Sequence, residues 1–119
     1  MKILVDAMGG DNSPDEIIKG AVNSLDALES EIVLIGDEKI INKKIKEFYG
    51  KDNISQISER LSIKNATEVI KNEESPTSAI KNKKDSSLVV GFNMLKNNEG
   101  DAFVSAGSTG AFMAGGLLM

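Results

Sequence analysis

Short apolar blocks alternate with longer amphipathic stretches along the chain. The blocks KILV (residues 2–5) and EIVLIG (residues 31–36) predict buried strands. Each is followed by apolar residues at helical spacing: Ile18, Ala21, Val22, Leu25 and Leu28 after the first block, and Ile41, Ile45 and Phe48 after the second. The first half of the chain therefore predicts two strand–helix units.

Residues that typically start and stop helices mark the ends of these units. Pro14, which two acidic residues follow, predicts the first turn of the first helix, with Asn12 or Ser13 as its cap. Gly50 predicts the end of the second helix, because glycine readily adopts the backbone conformation that closes a helix.

The second half begins with a polar stretch and then resumes the alternation. RLSI (residues 60–63) predicts a third strand, and residues 67–71 predict a helical turn. A short helix is predicted from Pro76 toward Lys84.

A longer helix is predicted to open at Ser86 or Ser87. Its buried face is predicted to carry Leu88, Phe92 and Leu95. Residues 101–105 predict the next strand, and an apolar helix is predicted to follow it.

Strands that alternate with helices predict a mainly parallel sheet covered on both faces, which is a three-layer α/β/α sandwich. Ligands of such sheets bind beside the carboxyl ends of the strands. Two loops would share that edge: MGGDNSP after the first strand and AGSTG after the last. Residues 117–119 lie inside an apolar helix without a stop signal, so we expect residues 1–119 to be the N-terminal portion of one α/β/α domain.

Composition excludes several kinds of chemistry. The 119 residues contain no cysteine and no histidine, which excludes disulfides, thiolate nucleophiles, Cys/His zinc sites and a Ser-His-Asp relay within the chain. The net charge of −4 argues against broad nucleic-acid binding. No apolar run is long enough for a membrane span or a signal peptide, so the cytoplasm is the expected compartment.

The stretch AGSTGA stands at a predicted strand-to-helix junction. A helix N-terminus has unpaired N–H groups and a partial positive charge, so it can bind an anion, and Ser108 and Thr109 add hydroxyl groups. The alternative is that Gly107 and Gly110 permit close packing while Ser108 caps the helix. The stretch has neither the Walker lysine nor the dinucleotide glycine spacing.

DAMGGDNSP is the second stretch that could carry chemistry. Asp6 closes the first strand, where its carboxylate can orient backbone N–H groups or a ligand hydroxyl. Gly9 and Gly10 allow backbone angles that other residues rarely adopt. The alternative is an ordinary strand-to-helix turn.

KNKKDSS is the third such stretch. It places Lys84 and Asp85 next to two serines at a predicted helix start, which suits a phosphate group. Lys81 and Lys83 are interpreted instead as part of a solvated face.

One family combines these stretches in the same order: VDAMGGDNSP, then E-S-P at residues 74–76, KNKKDSS and DAFVSAGSTGA. The chain resembles the fatty acid/phospholipid synthesis phosphate acyltransferases, which are bacterial acyl-(acyl-carrier-protein):phosphate acyltransferases. The resemblance runs from end to end and covers the N-terminal part of such proteins. It implies the isocitrate/isopropylmalate-dehydrogenase-like sandwich of the phosphotransacetylases, usually as a homodimer.

The resemblance also implies an activity and a set of residues. The activity is transfer of a long acyl group from acyl-carrier-protein to inorganic phosphate, giving an acyl phosphate for phospholipid synthesis, without a cofactor or a metal. Lys84, Ser108 and Thr109 are the candidates for catalysis. The residues implied for substrate or phosphate binding are Asp6, Gly9, Gly10, Asp11, Asn12, Lys84, Asp85, Ser86, Ser87, Ser105, Gly107, Ser108, Thr109 and Gly110. We expect the AGSTG and KKDSS helix starts to form one phosphate cradle, with the MGGD loop beside it.

The chain departs from the family pattern at two positions. Ser108 stands where asparagine is more common, and Lys81 stands where arginine is usual. Serine keeps a hydroxyl that can cap or donate, whereas lysine lacks the two-pronged geometry with which arginine binds phosphate.

The lack of histidine fits this activity, because phosphate is already an anionic nucleophile and a thioester is an activated acyl donor. Two alternatives are a phosphotransacetylase-like acyl transferase that uses coenzyme A and a non-catalytic phosphate- or nucleotide-binding module. An acidic carrier protein needs a basic docking surface, for which Lys43, Lys44 and Lys46 are candidates. The hydrophobic product suggests peripheral membrane contact.

Overall fold

The computed structural model describes residues 1–10, 12–27, 29–50, 59–71 and 74–119. Leu28 and Asp11, both named in the predictions, lie outside these ranges. The helices are α1 Asp15–Ala27, α2 Glu38–Tyr49, α3 Pro76–Asn82, α4 Ser87–Lys96 and α5 Thr109–Leu118. The strands are β1 Lys2–Asp6, β2 Glu31–Gly36, β3 Leu61–Asn65 and β4 Ala102–Val104.

The four strands form one parallel sheet in the order β3-β2-β1-β4. The chain steps from β1 to β2 and on to β3 in one direction, and then places β4 on the other side of β1. Because all pairs are parallel, the carboxyl ends of the strands meet at one edge of the sheet. The predicted parallel α/β arrangement is confirmed.

Alternate residues of the central strands enter cores on opposite faces of the sheet, because side chains along a strand point to the two faces in turn. Ile32 and Leu34 belong to the core with α1 and α2, which contains Ile18, Leu25, Ile41 and Ile45. Val33 and Ile35 belong to the core on the other face, with Leu4, Ala66, Val90, Met94 and Leu95. Helices therefore cover both faces, as a partial three-layer sandwich requires.

A third cluster lies between α3, α4 and α5. Its buried members are Ile70, Ala79, Ile80, Leu88, Val89, Phe92 and Ala111. The buried face predicted for α4 is confirmed for Leu88 and Phe92, which pack toward the neighbouring helices, whereas Leu95 is only partly buried and packs toward the sheet. The reason is that α4 is the middle layer between the sheet and two further helices.

Helices α3 and α5 run side by side in the same direction. A Cβ at Gly110, near the start of α5, would lie 2.9 Å from Cγ of Pro76, the first residue of α3. Further along, a Cβ at Gly115 would lie 3.4 Å from Ile80 and 2.5 Å from the Phe92 ring. The absence of a side chain at these two positions lets the helices approach closely.

The predicted helical turn at residues 67–71 is wrong. This segment is not helical, and Glu68 forms an isolated parallel bridge with Ser86. The Thr67 N–H donates to the Asp85 carboxylate at 2.9 Å, so its hydrogen bonds go to a distant loop instead of to a local turn.

The cap predicted for α1 is also different in the structure. The Ser13 hydroxyl does not cap the helix but donates to the carbonyl oxygens of Met8 and Gly10, both at 2.9 Å. Asn12 contributes its backbone carbonyl, which accepts from the Glu16 N–H at 3.1 Å. Ser13 therefore shapes the loop after β1. Within the described ranges, no helix has the length and apolar character needed to cross a bilayer.

Candidate functional site

Asp6 joins the loop after β1 to the loop after β4. Its side chain is almost fully buried. One carboxylate oxygen accepts from the N–H groups of Met8, at 3.0 Å, and Gly9, at 3.1 Å. The other accepts from the Ser105 hydroxyl at 2.8 Å. Of the two roles proposed from the sequence, orientation of backbone N–H groups is the one observed.

The same two loops touch through their backbones. A Cβ at Gly9 would lie 2.8 Å from the Gly107 Cα and 2.5 Å from the Asp6 carboxylate, which is too close for any side chain. Gly10 has a φ of 103°, a left-handed conformation that favours glycine, and lies against Ala106. The two consecutive glycines thus allow the loop after β1 to pack directly against the loop after β4.

The start of α5 emerges from this junction. The buried Ser108 hydroxyl caps the helix by accepting from the Ala111 N–H at 3.2 Å. Helix geometry leaves the first N–H groups without an intrahelical partner, and two of these belong to the exposed Thr109 and Gly110. Of the two interpretations of AGSTGA, close packing at the glycines and capping by Ser108 are observed, whereas anion binding at Thr109 and Gly110 stays a prediction.

KKDSS is anchored to the segment that follows β3. The Asp85 carboxylate accepts from both the hydroxyl and the N–H of Thr67, and these bonds lower the pKa of Asp85 below its usual value. The Asp85 N–H donates to the Glu68 side chain at 3.2 Å. The fully buried Ser86 caps α4 by accepting from the Val89 N–H at 3.2 Å. Of the two predicted start residues, Ser86 is the cap.

Lys83 is part of an ion pair. Its ammonium group contacts the Glu74 carboxylate and donates to the Val69 carbonyl at 2.9 Å. The bond from Lys83 lowers the pKa of Glu74. The prediction that Lys83 belongs to a solvated face is therefore wrong, because the segment after β3 passes beside it. Lys81 and Lys84 are exposed.

Comparison with known proteins gives the family. The profile described as "Fatty acid synthesis protein" matches residues 1–119. The chain belongs to this family.

Curated relatives in the family are named phosphate acyltransferase. The chain is 52% identical over 120 residues to the one from Caldanaerobacter subterraneus subsp. tengcongensis, covering 100% of the chain and 33% of the relative. It is 46% identical over 120 residues to the one from Halothermothrix orenii, covering 100% and 34%. For Clostridioides difficile the identity is 41% over 119 residues, covering 100% and 33%. The chain thus spans about a third of the length of these relatives, and the family resemblance carried by its motifs is confirmed.

Of the three stretches that could carry chemistry, the structure brings the loop after β1 and the loop after β4 into direct contact. Residues 9–10 lie against residues 105–107. KKDSS lies at the same edge of the sheet, where it forms hydrogen bonds with residues 67–68. However, KKDSS follows the end of α3, whereas Gly110 contacts the beginning of that helix. The seven residues of α3 span about 10 Å at 1.5 Å per residue. The single cradle made from all three motifs stays a prediction.

Asn12 lies apart from these contacts. It lines a shallow surface hollow together with Ser13, Asp15 and Glu16. Two carboxylates in this hollow do not favour an anion. The structure thus gives the MGGD loop a packing role through its glycines.

Sequence analysis missed the residues that hold the motifs in place. Thr67 and Glu68 anchor KKDSS, and Pro76 lies against the start of α5. Pro76 belongs to the E-S-P stretch, which supported the resemblance without a role of its own. Thr67 lies in a polar segment whose pattern gives no indication of this contact.

Proposed function

We propose that the protein carrying this chain transfers an acyl group from acyl-acyl-carrier-protein to inorganic phosphate and releases an acyl phosphate. The observation that carries the proposal is the Asp6–Ser105 hydrogen bond, which fastens two glycine loops together directly before the start of α5. The names of the curated relatives support transfer of an acyl group to phosphate. The carrier-protein donor comes from the motif resemblance.

Residues at the start of α5 are suited to hold the phosphate. The N–H groups of Thr109 and Gly110 and the Thr109 hydroxyl are donors that keep their protonation near neutral pH, and the positive end of the helix favours an anion. Ser108 fixes their orientation by capping the same turn. Donors fixed before the reaction need no reorganisation when charge develops, and one such donor is typically worth roughly 3–4 kcal/mol of barrier.

The reaction then balances without a histidine. A phosphate oxygen attacks the thioester carbonyl carbon, a C–O bond forms, and the C–S bond breaks. The carrier's thiolate leaves and takes a proton from solvent. Phosphate held in line with the carbonyl lowers the entropic part of the barrier.

Docking of an acidic carrier protein requires exposed cations. Lys44 is already engaged, with its ammonium group 3.5 Å from Asp15 and 3.8 Å from Glu47. Lys43 and Lys46 are exposed on the same helix and are the residues we propose for this docking. The proposal includes a homodimer and peripheral contact with the membrane that receives the hydrophobic product.

The test compares two threonines in the protein that carries this chain. Thr109→Val removes the hydroxyl at the start of α5, and Thr77→Val is the matched control in the exposed first turn of α3. Loss of acyl-carrier-protein thioester is followed against phosphate concentration. We expect Thr109→Val to raise the phosphate KM about tenfold, as loss of one good hydrogen bond to an anion would, and Thr77→Val to leave it unchanged.

Three outcomes argue against the proposal in different ways. An unchanged KM and kcat in Thr109→Val would remove this threonine from the site. Faster turnover of acyl-coenzyme A than of acyl-carrier-protein would replace the donor. Failure of phosphate to consume either thioester would contradict the activity itself.

A further inference from the structure

Glu74 and Lys83 form an ion pair that joins the two ends of α3. Glu74 stands two residues before the helix, which begins at Pro76, and Lys83 directly follows its last residue, Asn82. The Lys83 N–H donates to the Ala79 carbonyl at 2.8 Å and so closes the final turn. One side-chain contact therefore connects the segment that leads into α3 with the residue that leads out of it.

Both members of this pair are largely shielded from solvent. The side chain of Lys83 is 30% exposed and that of Glu74 is 26% exposed, whereas the carboxylates in the ion pairs of α1 and α2 are at least 44% exposed. Lys83 also donates to the Val69 carbonyl at 2.9 Å, and Glu74 accepts from the Lys71 N–H at 3.3 Å. Partly buried charges are screened less by salt than surface charges, so the pair can hold its two partners in place.

Each end of α3 adjoins one of the stretches that could carry chemistry. At its beginning, a Cβ at Gly110, in the first turn of α5, would lie 2.9 Å from Cγ of Pro76. At its end, Lys83 leads directly into Lys84. Asp85, on the other side of Lys84, is bound by the segment after β3. Helix α3 is thus the spacer between AGSTG and KKDSS.

We propose that Glu74 and Lys83 are positioning residues of the acyl-transfer site, because their ion pair fixes Lys84 relative to the first turn of α5. The inference rests on the proposed function, since it takes the phosphate site at that turn as its premise. It gives the E-S-P stretch a role: Glu74 binds KKDSS, and Pro76 packs against AGSTG. Glu74 and Lys83 act through the residues that hold phosphate and do not touch it themselves.

Glu74→Gln separates a positioning role from a direct effect of charge, because the two have opposite signs. The substitution removes a negative charge beside the lysines, so a direct electrostatic effect would favour phosphate and lower its KM. Loss of the ion pair instead releases Lys83, and Lys84 with it. We expect Glu74→Gln to raise the phosphate KM at least about tenfold, since a displacement of about 1 Å at a site can cost on the order of 100-fold in rate.

Two substitutions of Lys83 test the pair from its other side. Lys83→Met removes the charge but keeps an unbranched side chain, and we expect it to raise the phosphate KM as Glu74→Gln does. Lys83→Arg keeps a cation for the carboxylate and should retain a KM close to that of wild type. Because both partners act through one contact, the double variant Glu74→Gln/Lys83→Met should have the KM of either single variant.

The measurements use the protein that carries this chain. Consumption of acyl-carrier-protein thioester is followed against phosphate concentration, and binding of inorganic phosphate is measured by calorimetry without thioester. Glu16→Gln is the matched control, because Glu16 pairs with Lys19 at 3.9 Å on the surface of α1, and it should change neither value. A merely structural role of the pair would reduce the active fraction, and with it the apparent kcat, but would leave the KM at its wild-type value.

The outcomes separate this inference from the proposed function. If wild type binds phosphate but consumes no thioester, the proposed function is wrong, and weaker phosphate binding by Glu74→Gln would still support the positioning role. If wild type is active and Glu74→Gln has an unchanged or lower KM, the positioning role alone is overturned. Effects that add in the double variant overturn it as well. Neither phosphate binding nor turnover in wild type would overturn both.

Discussion

Ser105 donates a hydrogen bond of 2.8 Å to Asp6, although the two residues are 99 positions apart in the sequence. The bond forms only when β4 has taken its place beside β1, because the parallel pairing of these strands brings their carboxyl ends together. The geometry of the candidate site therefore depends on the assembly of the sheet and not on either loop alone.

Asp6→Ala should destabilise the fold strongly. It leaves the N–H groups of Met8 and Gly9 and the Ser105 hydroxyl without their acceptor in a buried place. We expect the free energy of unfolding to fall by at least about 3 kcal/mol, as measured by urea denaturation. Asp37→Ala, which removes the cap of α2 at the surface, is the control and should cost about 1 kcal/mol. If the two variants lost the same free energy of unfolding, the hydrogen bonds of Asp6 would not stabilise the contact between the loops.

Gly9→Ala and Gly20→Ala should have opposite effects. A Cβ at Gly9 meets the Gly107 backbone at 2.8 Å, so the two loops must separate. A Cβ at Gly20, within α1, would meet no atom within 4 Å outside the adjoining part of its own helix, and alanine there should raise stability by about 0.5–1 kcal/mol. We expect Gly9→Ala to lower both the midpoint of urea unfolding and the affinity for phosphate. If Gly9→Ala had the same urea midpoint and the same phosphate affinity as wild type, contact between the two loops would not be required for either property.

Substitutions of Ser108 should separate its capping role from its chemistry. Ser108→Ala removes the acceptor for the Ala111 N–H and should cost about 1 kcal/mol of stability, whereas Ser108→Asn should keep the cap within a few tenths of that value. Thermal unfolding of the three proteins gives the comparison. If Ser108→Asn unfolds at the same temperature as Ser108→Ala, capping alone does not explain the contribution of Ser108 to stability.

The bond between Asp85 and Thr67 should make stability depend on pH at the acidic end. The folded pKa of Asp85 is lowered from 3.8, so the charged form is favoured in the folded state. This contribution is complete above the unfolded pKa and is lost as pH falls through the folded pKa. The stability difference between wild type and Asp85→Asn, which has no charge to titrate, should be constant above about pH 5 and shrink below pH 3.8. Urea midpoints measured across this window test it, and a difference that grows toward low pH would reverse the sign of the argument.

The strands could be predicted from the sequence because their pattern is local. EIVLIG contains the uninterrupted apolar run IVLI, and β2 occupies the same six residues with five of them buried. The start of α4 could be predicted for the same reason, since Ser86 caps through a bond to a residue three positions later. Signals of this kind are contained within one turn or one strand.

The partners of the polar side chains could not be predicted. Lys83 pairs with Glu74 across nine positions, and Asp85 binds Thr67 across eighteen. Both pairs form because the segment after β3 passes beside the start of α4, which is a property of the topology. The helical turn predicted at residues 67–71 failed for this reason, since a neighbour distant in sequence takes the hydrogen bonds that a local turn would have used.

Gly115 lies on the face of α5 that packs against the Phe92 ring, and Gly110 lies against Pro76. Contacts this tight at two levels fix how far α5 lies from α3 and from α4, because packed interiors leave little room for an added methyl group. An alanine at either position would therefore displace α5 from its neighbours, and the first turn that holds Thr109 with it.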